Sequence, residues 1–209
     1  MFAFTVGGSL SGTLDGGTAP LHEGNWLNYS ALTTPVTVNL QTGKATGVAG
    51  AVANIQNVHG GNGGNTLTGD AQGNILIGGA GNNVITGGTG ASILIGDAGA
   101  GTITGGSGGD ILIGGSTVYD PMNVPDEAAL MNILAEWQSS DSYATRFSDI
   151  NTGTGGGLNG TARLNGTTVL KNNKVDVLTA AALPGLDWFF QGPGDILHHV
   201  EPGEHVSNI

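Results

Sequence analysis

The chain has 209 residues and a formal charge of −11, from five Lys+Arg against sixteen Asp+Glu. That balance argues against nucleic acid or an anionic membrane as partner, the absence of cysteine excludes disulfide staples and thiol chemistry, and no apolar run approaches a membrane span. Forty glycines without collagen's period suit a repeat protein better than a compact globule.

Residues 1–59 read as irregular leading β-segments. Stretches 2–6, 10–14 and 36–40 are strand-like, and 15–17 and 41–44 have turn chemistry. No basic and apolar leader opens the chain, so an export address is expected at the C-terminus or on a missing part of a larger parent protein.

From Gly60 to Ser116 nine residues repeat six times without insertion: GGNGGNTLT, GDAQGNILI, GGAGNNVIT, GGTGASILI, GDAGAGTIT and GGSGGDILI. Six small, turn-forming positions precede three of β-forming type in each copy. No copy can bury its apolar side chain alone, so the copies must stack. Position eight is always aliphatic (Leu67, Leu76, Ile85, Leu94, Ile103, Leu112) and should point inward, as should Val58, nine residues ahead in phase. The outward pair alternates between copies, which sets a true period of eighteen. One face carries Thr66/Thr68, Val84/Thr86 and Thr102/Thr104, and the other six isoleucines, Ile75/Ile77, Ile93/Ile95 and Ile111/Ile113.

Residues 117–209 form a C-terminal cap. Residues 123–137 carry Pro and acids early and Leu130, Ile133, Leu134 and Trp137 at helical spacing, and a second helix is expected over 140–150 with Tyr143, Phe147 and Ile150 on one side. The first helix should lie on the isoleucines, since six uncovered would be a large apolar patch. A Gly-rich loop spans 151–163. Strand-like segments then return at Asp176-Val-Leu-Thr and Asp187-Trp-Phe-Phe, eleven residues apart, and again at Asp195-Ile-Leu-His.

The nonapeptide resembles the GGxGxDxUx unit of RTX (repeats-in-toxin, hemolysin-type calcium-binding) proteins, and the leading and C-terminal segments resemble the ends of giant bacterial surface, adhesin-like proteins. The resemblance implies a right-handed parallel β-roll or β-solenoid, an all-β-dominated fold with a helix-containing cap, with calcium between Gly-rich turns. It also implies a bacterial protein that is secreted or at the cell surface. The family's ligand is the Asp at position six, which here reads Asn65, Asn74, Asn83, Ser92, Gly101 and Asp110. With Asp187 these, Gly101 apart, are the candidate calcium ligands. Facing pairs two copies apart (Asn65/Asn83, Asn83/Gly101, Asn74/Ser92, Ser92/Asp110) hold no two carboxylates, so the expectation is weak calcium binding or a metal-free fold whose Asn side chains bond neighbouring turns. Asp70 and Asp97, off the ligand position, read as solvated.

Two other chemistries are in view. Thr66, Thr68, Thr86, Thr102 and Thr104 would make a flat grid with rungs about 4.8 Å apart and alternate residues about 6.7 Å apart, resembling ice-binding β-solenoids and open to carbohydrate or another surface polymer. His198, His199 and His205 with Glu201 and Glu204 read as a solvated terminal hairpin rather than a transition-metal site, because neither H-E-x-x-H nor H-x-x-E-H is present. Residues 105–109 match G-x-S-x-G as a string only, His22 and His59 stand alone, and Arg146 and Arg163 read as ion-pair or carbonyl partners. No recognised motif places a nucleophile with a base or a carboxylate pair. The expectation is a structural or adhesive module first, an ice- or carbohydrate-binding module second and an enzyme third.

Overall fold

The computed structural model describes residues 1–19, 24–181 and 185–209, so His22 lies outside the described residues. Turn-rich and apolar triplets alternate as the nine-residue period demands, and every triplet in the repeats becomes a three-residue strand. Successive strands go to alternate sheets. Thr66–Thr68, Val84–Thr86 and Thr102–Thr104 pair in parallel within a seven-stranded sheet, and Ile75–Ile77, Ile93–Ile95 and Ile111–Ile113 within an eight-stranded one. Register is eighteen residues throughout, so Ile85 sits over Ile103 and Leu94 over Leu112. All six position-eight side chains and Val58 are fully buried in one cluster that the two sheets share.

The degenerate segments continue this order. Val177–Thr179 stacks on Thr102–Thr104, and Trp188–Gln191 on Ile111–Ile113, so the 59 residues from Thr117 to Val175 leave the register without changing it. Ile196–His198 and His205–Asn208 add one more strand to each sheet. The tail is therefore not a hairpin. A lone strand would expose its N–H and C=O row, and parallel addition to the sheet in front satisfies one side of it. The leading strands are shorter than expected: Phe2–Ala3, Leu14–Asp15 and Thr37–Asn39, with Leu10 making only an isolated bridge to Val48. Lys44–Ala45, in a stretch expected to turn, pairs antiparallel with the strand Thr37–Asn39 instead.

Helix α1, Val124–Trp137, starts at Asn123, whose side chain accepts from the Asp126 N–H while the Asp126 carboxylate accepts from the Asn123 N–H. Helix α2, Tyr143–Thr152, is capped by Ser142 and stops at Gly153, whose φ of 67° suits glycine. Leu130, Ile133, Leu134 and Trp137 of α1 and Ile150 of α2 bury all six outward isoleucines together with Trp26, Trp188 and Phe190. The indole N–H of Trp137 donates to the Gly109 carbonyl (2.9 Å), and Gln138 Nε2 donates to the Gln72 and Ala91 carbonyls. These bonds tie the C-terminal end of α1 to turns of the second, fourth and sixth copies.

Replacing Ile93 with Asp places a charge in this dry layer, and Trp137→Ala removes its largest side chain, at a cost of about 3–5 kcal/mol. Urea titration should show both losses, and Trp137 in the native chain should resist iodide quenching.

Candidate functional site: the turn ladders

The turns are organised by position six. Its side-chain oxygen accepts the backbone N–H of the position-six residue one eighteen-residue period earlier, on the same edge. The Asn65 N–H reaches Asn83 Oδ1 (3.0 Å) and the Asn74 N–H reaches Ser92 Oγ (3.1 Å). Ser92 N–H likewise reaches Asp110 Oδ1 (2.7 Å), and Asp110 N–H reaches Asp187 Oδ1. The Asp187 N–H then reaches Glu204 Oε1 (3.1 Å). On the other edge the Val36 N–H reaches Asn65 Oδ1, Gly101 N–H reaches Asp176 Oδ1 (2.6 Å), and Asp176 N–H reaches Asp195 Oδ1 (2.8 Å). Two ladders of buried side chains thus run along the two edges.

The amide nitrogens of these asparagines take the place where a cation would be expected. Asn83 Nδ2 lies 2.9, 2.6 and 3.1 Å from the carbonyl oxygens of Gly79, Gly81 and Gly96. Asn65 Nδ2 lies 2.8 Å from those of Gly61 and Gly78. A carboxylate there could not donate to these carbonyls, so a cation would have to bridge them, whereas an amide has both an acceptor and two donors. Gly101 cannot supply the third amide. Asn172 does so from the cap: its Nδ2 lies 2.8 Å from the Asp97 and Gly114 carbonyls, 3.2 Å from that of Gly99 and 3.0 Å from Asp176 Oδ2. Those carbonyls stand four and two residues before and thirteen after Gly101, the same offsets that Asn83 serves around itself. Asn65, Asn74, Asn83 and Ser92 are therefore ladder groups engaged with backbone.

The C-terminal rungs differ. Because the strand Trp188–Gln191 stacks on Ile111–Ile113, Asp110 faces Asp187, and Asp176 likewise faces Asp195. Oδ2 of Asp110 and of Asp187 both flank Gly105, and Asp187 Oδ2 is buried without a hydrogen-bond partner. The Ala181 N–H faces this carboxylate and favours its charged form without satisfying that oxygen. Burial, with Asp187 adding repulsion, pushes Asp110 up to about 8. Burial, with Glu204 nearby, takes Asp187 to about 7, and burial with Asp195 nearby takes Asp176 to about 6. The four carboxylates are visible in the sequence, but the facing pairs are not: the 59 residues from Thr117 to Val175 stand between Asp110 and the segment that carries Asp187, and Asp176 and Asp195 stand nineteen residues apart rather than eighteen. A fourth acid-x-aliphatic-x segment, Glu204-His-Val-Ser, was the signal overlooked.

The other candidates separate. Asp70 is half-buried and accepts from the Gln72 N–H and Asn74 Nδ2, and Asp97 is shifted up by burial, so neither is merely solvated. His198 and His205 sit on different sheets, and among the described residues no group of three or more His, Asp or Glu is placed to hold a metal. Arg146 donates to the Trp137 carbonyl as expected. Thr66, Thr102, Thr68, Thr86 and Thr104 form two ranks on the open face of the seven-stranded sheet, extended by Thr37 and Thr179 and interrupted by exposed Val84. Among the described residues no helix is long and apolar enough to cross a membrane. Compared with protein-family models and with curated proteins, the chain matches neither. Its chemistry has to be read from its own residues.

Asn172→Ala leaves three carbonyls without their donor and should cost about 1–3 kcal/mol, as should Asn83→Ala. Gly101→Asn should restore part of the Asn172→Ala loss in a chemical-denaturation assay, since the new amide faces the same carbonyls. The raised carboxylates bind more protons folded than unfolded. Stability without divalent cations should therefore be highest near pH 4 and fall as pH rises through about 6 to 8. Melting temperatures across that range in EDTA check the sign.

Proposed function

We propose that the chain is an extracellular structural or adhesive module, a right-handed β-roll of bacterial surface type, that binds calcium at its C-terminal rungs. The observation that carries this reading is the facing of Asp110 and Asp187, with the unpartnered Asp187 Oδ2 beside Asp110 Oδ2 at Gly105. Two carboxylates whose charge is opposed by burial and by each other gain most from a hard cation, which oxygen donors suit. Asp176 and Asp195 offer a second such pair. The rungs from Asn65 to Ser92 carry amides or a hydroxyl that donate to backbone carbonyls and need no metal, so only the cap end depends on calcium. Binding there stabilises the last strands and thereby the layer of α1 and α2, a folding linkage suited to a protein that meets calcium outside the cell.

A second reading is favoured by one observation, the register that lengthens the Thr ranks to Thr37 and Thr179. Such a flat, exposed array suits ice or a surface polymer with matching repeat, and recrystallisation inhibition that Thr86→Tyr abolishes would support it.

Millimolar calcium at pH 7.5 should raise the melting temperature, with a free-energy gain of about 2.7 kcal/mol at a hundredfold excess over Kd. The Asp110→Asn/Asp187→Asn pair should remove most of that rise while melting higher than wild type in EDTA. An unchanged rise in the double variant would contradict the assignment.

A further inference from the structure

A second group of oxygens lies in the cap, away from the ladders. Glu136, on the buried side of α1, is fully enclosed. Its Oε2 accepts from the Leu158 N–H (2.6 Å), and its Oε1 is buried without a partner. Asn159 is buried as completely, and its Oδ1 also lacks a partner. The amide cannot be turned round to correct this, because its Nδ2 donates to the carbonyls of Asp149 (2.9 Å) and Ala162 (2.7 Å), and an oxygen there would face two acceptors. Both side chains converge on Gly157, where a Cβ would lie 2.6 Å from Glu136 Oε2 and 2.8 Å from Asn159 Oδ1. Two residues earlier, a Cβ on Gly155 would collide with the Asp149 carboxylate. The glycine loop is thus folded around the acids of both helices, at a closeness only glycine permits.

Nothing on the protein answers the two free oxygens. Arg146 attracts Glu136, but its guanidinium donates to the Trp137 carbonyl and lies over the Trp137 ring at 4.9 Å, and its Nε is itself buried without a partner. A buried carboxylate oxygen and a buried amide oxygen, both acceptors, each call for a donor or a positive charge.

We propose that Glu136 Oε1 and Asn159 Oδ1 are two ligands of a second, cap-embedded site for a hard divalent cation of the calcium type. Backbone carbonyls of the 153–160 loop and water complete the shell. All-oxygen donors of mixed kind on a flexible glycine loop favour calcium over magnesium, which demands stricter octahedral geometry. An open groove bordered by Tyr119, Asn132, Asn159 and Gly160 offers access from solvent. The site would fasten α1 to α2 through the loop, and so fix the cover over the isoleucines. It is separate from the Asp110–Asp187 pair and does not depend on it.

The test is a calcium titration of the full chain followed by amide NMR. The Gly157 and Leu158 N–H signals and the Asn159 side-chain amide should shift and saturate by ~10 mM calcium, the weak end of extracellular sites. They should do so equally in wild type and in the Asp110→Asn/Asp187→Asn variant, and Glu136→Gln should weaken the response at least tenfold. Trace manganese should broaden the same three signals in the native chain, a readout that needs no variant. Signals that stay unmoved, with manganese without effect, would mean that water or Arg146 fills the gap, and would overturn the site. A response lost with Asp110 and Asp187 would overturn it as well, by assigning the ion to the ladder alone.

Discussion

The structure depends on one hydrogen bond repeated along each edge, from the backbone N–H of a position-six residue to the side-chain oxygen of its counterpart a period later. Parallel strands of three residues make few ladder bonds of their own, and the six-residue turns between them would otherwise leave buried N–H and C=O groups without partners. The position-six side chains remove that cost. Asn65 and Asn83 serve both kinds of group, an oxygen for the N–H and a nitrogen for the carbonyls. The aliphatic position eight then fills the shared interior, but the turn bonds set the spacing at which it can do so.

Where the amide is missing, the fold supplies another. Gly101 has no side chain, and Asn172 brings its Nδ2 to the three carbonyls that an asparagine there would meet. This ties the cap to the repeats by the chemistry of the repeats themselves. Toward the C-terminus the ladders change to Asp110, Asp176, Asp187, Asp195 and Glu204, which accept the N–H as well as asparagine does but cannot donate. Asn172 Nδ2 still reaches Asp176 Oδ2, and the Gly106 N–H reaches Asp110 Oδ2, but no hydrogen bond reaches Asp187 Oδ2. Along the chain the ladder passes from amides, which accept and donate, to carboxylates, which when ionised only accept.

The repeat phase was legible because period nine with an invariant aliphatic eighth position leaves one inward direction, and the alternating outward pair sets eighteen. Helix α1 was legible from Leu130, Ile133, Leu134 and Trp137 and from the need to cover the isoleucines. The Asp110–Asp187 pair was not, because strand pairing across the 117–175 insertion is a tertiary fact: Asp110 meets Asp187 only once Trp188–Gln191 stacks on Ile111–Ile113. The same holds for Asn172, whose role follows from carbonyls 58 to 75 residues away. The tail misled for a related reason. Pro202-Gly203 signals a turn, yet the strands on either side of it join different sheets, since each finds an open edge one period back.

Native-state hydrogen exchange in EDTA bears most directly on the claim that side-chain oxygens, not metal, close the repeat turns. The account predicts that the N–H groups of Asn65, Asn74 and Ser92 exchange as slowly as those of the buried strands, with or without calcium. It predicts that Asp110 and Asp187 gain protection when calcium is added. Fast exchange at Asn65 and Asn74 that slows only with calcium would contradict it, and would make the metal the fastener of every turn.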